Sequence, residues 1–157
     1  MKTLQLLLLS LFANILFGQT KFDNEKLMLV QDIYHNSTKK SINTFMTDKD
    51  YTIGDVENDE DGCAHSFKSE FTQIQVAYTK KGEMGAVVML YAGAPNNIFI
   101  EMKLQEAGYT YELDTFDADD STLKRKIWSK TGDRFSFSTY ASEEDRVGLL
   151  GYNQFND

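Results

Sequence analysis

Apolar residues recur along this chain at two intervals. From Asp23 onward, Leu27, Val30, Ile33, Tyr34, Ile42, Phe45 and Met46 return mostly at spacings of three and four, which lines one face of an α-helix. Asp23 or Asn24 can cap that helix by accepting a backbone N–H bond. The weak helix formers of "HNST" (His35 to Thr38) predict a break into two helices. After Tyr51 the interval is two. In "FTQIQVAYT", Ile74, Val76 and Tyr78 alternate with Gln73, Gln75 and Ala77, the pattern of a strand with one wet face. "KKGE" (Lys80 to Glu83) reads as a hairpin turn into the more continuously apolar "MGAVVMLYAG" (Met84 to Gly93). Pro95 suits the first position of a further helix, "PNNIFIEMKLQEAG", and Gly108 its left-handed end. "YTYELDTF", "LKRKIWS", "RFSFSTY" and "RVGLLGYN" read as four more strands.

The two halves of this pattern align. At an offset of 58, Ile42, Met46, Tyr51, Thr52, Asp59 and Asp61 fall on Ile100, Leu104, Tyr109, Thr110, Asp117 and Asp119. One insertion moves the offset to 61, where Phe67, Ile74, Val76, Glu83, Val88 and Tyr91 fall on Trp128, Phe135, Phe137, Glu144, Leu149 and Tyr152. Self-similarity of this kind predicts a duplicated supersecondary unit. The expected fold is therefore α+β: two tandem helix-plus-antiparallel-strand repeats, approximately 23–93 and 94–157, forming one sheet-and-helix domain. In plan, this arrangement resembles the tandem helix-plus-sheet repeats of beta-lactamase-inhibitor-like proteins. The resemblance is architectural, and no motif carries residue roles with it.

The N-terminus adds a compartment. Lys2, the apolar run "LQLLLLSLFANILF" (Leu4 to Phe17) and small Gly18 have the order of an export signal. The expectation is a signal peptide over 1–18, cleaved near Gly18, and a single domain over 19–157. It would reside in the periplasm of a Gram-negative-type envelope or be secreted. Sixteen basic against 24 acidic residues leave a formal charge of −8, and losing Lys2 with the leader takes it to about −9. Such a surface repels nucleic acid and anionic lipid, so neither is an expected partner. Cys63 is the sole cysteine, which excludes an internal disulfide.

Candidate chemistry is sparse. "DYTIGDVENDEDG" (Asp50 to Gly62) and "GYTYELDTFDADD" (Gly108 to Asp120) carry acidic residues at alternate positions, like a calcium loop. Lys68 stands where an EF-hand loop starting at Glu57 needs its bidentate glutamate. Self-bonded acidic turns are the preferred reading, with a divalent site at Asp59, Asp61, Asp117 and Asp119 as the alternative. Cys63 and His65 share a strand face and could act as a nucleophile pair or as metal ligands. The expectation is a small strand residue and a surface histidine. Nucleophile elbows, phosphate-cradling loops and zinc motifs do not occur, so no cofactor and no catalytic residue is assigned.

"LKRKIWSKTGDR" (Leu123 to Arg134) gathers cations around the only tryptophan. Alternation puts Lys124, Lys126, Trp128 and Lys130 on one face and Leu123, Arg125 and Ile127 on the other. An exposed tryptophan among lysines has the composition of a binding hot spot. Trp128 aligns with Phe67, however, and the weighting favours core over contact. The functional expectation is a non-catalytic binding or inhibitor-like protein, with an immunity-type protein as one version. It would recognise another protein through its outer sheet face or acidic turns. The alternative is a small envelope ligand carrier or enzyme with His65, Tyr78 and Tyr140 in a pocket.

Overall fold

The computed structural model describes residues 20–93, 95–118, 121–142, 144 and 146–154. The leader expected over 1–18 lies outside the described residues, as does Asp119. Helix α1 (Glu25–Asn36) starts at Asn24, whose side chain accepts from the Lys26 and Leu27 amides at 3.1 and 3.2 Å. It buries Leu27, Val30, Gln31 and Ile33. The break predicted at "HNST" is present. Ser37 turns extended, and its hydroxyl donates to the Ile33 carbonyl at 2.7 Å, closing the last turn. A short α2 (Ile42–Thr47) then buries Ile42 and Met46.

Helix α3 (Pro95–Glu106) begins at Pro95, whose missing N–H costs nothing in a first turn. It ends at Gly108, where φ is +86° and the amide donates back to the Gln105 carbonyl. A positive φ suits glycine because it has no Cβ to clash.

Eight strands form one antiparallel sheet: β1 (Thr52–Asn58), β2 (Gly62–Lys68), β3 (Thr72–Thr79), β4 (Met84–Ala92), β5 (Thr110–Ala118), β6 (Ser121–Ser129), β7 (Phe135–Ser142) and β8 (Val147–Gln154). Their order is β1-β2-β3-β4-β8-β7-β6-β5. The register carries single rows of side chains across the molecule. Val76 lies opposite Val87, Val87 opposite Tyr152, Tyr152 opposite Phe137, and Phe137 opposite Trp128. All five are at most 1 % exposed. This face carries the core, beneath α1 on β4 and β8 and α3 on β7 and β8.

The row next to it faces the other way. Ser66, Gln75, Val88, Gly151, Ser138, Ile127 and Glu112 succeed one another across the strands. Among the described residues, the helices' core-forming side chains pack with the first face and leave this second one open.

The expectation of two tandem helix-plus-strand repeats is corrected. Among the described residues the chain is predominantly one eight-stranded sheet with three short helices. The halves do not match as units, since the first opens on two helices and the second on one. Seven consecutive register pairs from Ala86↔Asn153 to Ala92↔Val147 join β4 to β8 in one ladder. Hydrophobic spacing made the halves look alike because alternation with period two serves any half-buried strand. The likeness in plan to beta-lactamase-inhibitor-like proteins rested on that repeat and loses its basis. Among the described residues no helix is long and apolar enough to cross a membrane.

Candidate functional site

The open face is built from alternate residues of every inner strand. At its centre Leu90 lies opposite Leu149, and Leu149 opposite Tyr140. Leu90 is 39 % exposed although β4 is an interior strand of the sheet. Beyond Tyr140, Phe116 leans across β6 until the two rings meet edge to face at 5.6 Å. The Arg125 guanidinium stands 5.4 Å from the Phe116 ring and pairs with Asp114 at 2.8 Å. An aliphatic pair, a tyrosine, a phenylalanine and an arginine thus share one uncovered surface. Small residues at Ala64, Ala77, Ala86, Ser138 and Gly151 keep the rest of it low.

The lysine-rich strand resolves differently. Trp128, Lys126 and Lys124 do share a face, as alternation required, but it is the inner one. Trp128 is fully buried, and its indole N–H donates to the Thr139 hydroxyl at 2.9 Å. Thr139 donates onward to Glu101 at 2.9 Å, and Lys126 pairs with the other Glu101 oxygen at 2.5 Å. Asn97 also donates to Glu101, and the Tyr91 hydroxyl donates to Asn97, both at 2.8 Å. Lys130 lies 5.7 Å from the Tyr109 ring, while Lys124 remains exposed. Sequence reasoning missed Asn97, Glu101 and Thr139. The available signal was electrostatic: an inward-facing lysine on β6 requires a counter-charge, and α3 offers Glu101.

His65 and Tyr78 meet on the inner face with ring centroids 5.4 Å apart. Tyr140 lies on the opposite face, so these three do not line one pocket. Burial pushes the Tyr78 phenol up to about 12, aided by charge on Cys63, and burial followed by the Lys39 charge pulls the His65 imidazole down. Both are neutral near pH 7.

A second titratable cluster lies where α1 meets β7 and β8. His35 Nε2 and the Tyr152 hydroxyl share a 2.9 Å hydrogen bond, and the Tyr109 hydroxyl donates to Asp133. Burial holds Tyr109 and Tyr152 well above the ordinary phenol range and His35 below the ordinary imidazole value. Neutral, hydrogen-bonded groups of this kind suit packing better than proton transfer near pH 7.

The first acidic turn is self-bonded. Asp59 Oδ1 accepts from the Asp61 and Gly62 amides at 2.8 and 2.7 Å, so the carboxylate substitutes for a backbone turn. Among the described residues no three of His, Cys, Asp and Glu gather as a metal site. A cleft of about 400 Å³ between Lys21–Asp23 and the end of α3 is occupied at its rim by Lys103, which already bridges Asp23 and Glu106. No family model, curated protein or solved structure matches this chain.

Proposed function

We propose that this is an exported, non-catalytic binding protein that recognises another protein, in the manner of an inhibitor or immunity protein, through the open face of its sheet. The observation that carries the reading is the uncovered cluster of Leu90, Leu149, Tyr140, Phe116 and Arg125. Tyrosine and arginine beside apolar anchors form the usual chemistry of interface hot spots. Size agrees as well. Eight strands about 4.8 Å apart and about 26 Å long present roughly 900 Å², close to the ~800 Å² each partner buries in a standard interface. The net charge of −8 favours a basic partner and speeds its encounter. Export rests on the leader-like first eighteen residues.

Isolation of the partner from the native envelope tests the reading. Leu90→Glu and Leu149→Glu together should abolish specific recovery of a stoichiometric protein without altering the far-ultraviolet spectrum. Phe99→Glu, on the outer side of α3, should leave recovery intact. Recovery that survives the sheet changes and fails with Phe99→Glu would exclude the open face as the contact.

A further inference from the structure

The sheet ends at two strands, β1 and β5, and the two edges differ. The β1 edge is guarded. Its register against β2 shifts between Ile53 and Val56, and such a bulge twists a strand out of line for further pairing. Helix α2 also packs against β1. The β5 edge has no such bulge. Its register runs without a shift from Thr110↔Ser129 to Ala118↔Ser121, and among the described residues no strand pairs with its other side. A regular open edge presents a row of backbone N–H and C=O groups ready to pair. The hairpin also lacks a third strand over much of its length. β6 pairs with β7 only from Lys126↔Thr139 to Trp128↔Phe137. Beyond Leu113↔Lys126, β5 and β6 therefore form a two-stranded ribbon, which is marginal in water until another strand joins it.

The side chains along β5 say what fits there. Helix α3 meets this end of the sheet through Glu101 and Lys126, yet Leu113, opposite Lys126, is 66 % exposed and Tyr111 is 43 % exposed on the same face. Ile98 and Met102, one turn apart on α3 and flanking Glu101, are exposed as well. On the other face of β5, Asp114 is paired with Arg125, while Glu112 is exposed and has no ion-pair partner among the described residues. A second copy of the chain fits poorly. A two-fold register centred on Glu112 or Asp114 sets that carboxylate against itself, and one centred on Leu113 sets Glu112 against Asp114. Like charges directly opposite destabilise a ladder.

We propose that β5, over residues 110–116, is a docking strand for an extended segment of another protein in which basic and apolar residues alternate. The segment's backbone continues the sheet, its apolar side chains cover Tyr111 and Leu113, and its basic side chains lie beside Glu112. The net charge of −8 attracts such a segment. This edge is separate from the cluster around Leu90 and Leu149, and the proposal does not rest on the open-face reading.

The probe is a capped nonapeptide of alternating lysine and valine, titrated calorimetrically into the purified protein. It should bind with one peptide per chain and slow amide exchange along β5. The same peptide N-methylated at every residue keeps its charge but loses its donors, and should bind about tenfold more weakly. Leu113→Lys should weaken binding by about tenfold, whereas Val56→Lys, an equal change of charge on β1, should leave it unaltered. The double change Leu90→Glu and Leu149→Glu should leave peptide binding intact, so the two readings fail separately. No binding at low salt, equal binding of the N-methylated peptide, or equal losses from Leu113→Lys and Val56→Lys would overturn the proposal. Self-association in sedimentation that Leu113→Lys abolishes would assign the edge to a second copy and overturn it too.

Discussion

Glu101 on α3 and Trp128 on β6 meet on a single hydroxyl. The indole N–H donates to Thr139, which donates to the Glu101 carboxylate, and both contacts measure 2.9 Å. Each partner is thereby satisfied in a place where an unpaired polar group would cost about 1–3 kcal/mol. Lys126 completes the arrangement by neutralising Glu101.

That relationship predicts a graded loss of stability. Trp128→Phe keeps most of the apolar volume and should cost about 1–2 kcal/mol, whereas Trp128→Ala should cost about 3–5 kcal/mol. Glu101→Leu leaves Lys126, Asn97 and Thr139 without their acceptor and should cost about 3 kcal/mol. Adding Lys126→Met should recover part of that loss, because the stranded charge goes with it. Urea unfolding of the single and double variants measures the coupling, and strict additivity would contradict the network.

Gly148 is fixed by a neighbour rather than by its own backbone. A Cβ there would stand 2.2 Å from the Tyr91 ring, which crosses β8 to reach Asn97. Gly148→Ala should lower stability by about 1–3 kcal/mol, and Tyr91→Leu in the same chain should return some of it. Thermal melts of the pair would decide this.

Acidification should weaken the fold through His35. Burial lowers its folded pKa below the ordinary value of 6.5, with Asp133 acting in the opposite direction. The unfolded chain therefore takes up the proton first. Stability is fully present above about pH 6.5 and is lost as pH falls toward the depressed folded value. His35→Gln should flatten this slope in denaturant titrations between pH 7 and 5. A wild-type protein that becomes more stable over that interval would refute the assignment.

The Asp59 turn should be indifferent to calcium. Its carboxylate already accepts two backbone amides, so Asp59→Ala should cost roughly 1 kcal/mol with or without millimolar calcium. A calcium-induced rise of several degrees, removed by Asp59→Ala and Asp117→Ala together, would restore the metal reading.

Much of the local structure is legible in the residues, because caps and alternation act over a few positions. Asn24, Pro95 and Gly108 mark helix ends, and Ile74, Val76 and Tyr78 mark an inner face. The shared face of Lys124, Lys126 and Trp128 is also legible. Its direction is not, because a strand pattern does not say which side the helices cover. The same limit hides Leu90, Leu149 and Phe116: apolar residues on an open face look like core until the layers are known. The repeat failed for a related reason. Period-two spacing reports burial, whereas pairing of β4 with β8 is a long-range relation with no local mark.

Photocrosslinking in the native compartment tests the central claim most directly. A photoreactive residue in place of Leu149 should trap one discrete partner, and the same residue in place of Phe99 should trap none. Adducts formed only from Phe99, or no discrete adduct from either Leu149 or Leu90, would contradict an open-face contact.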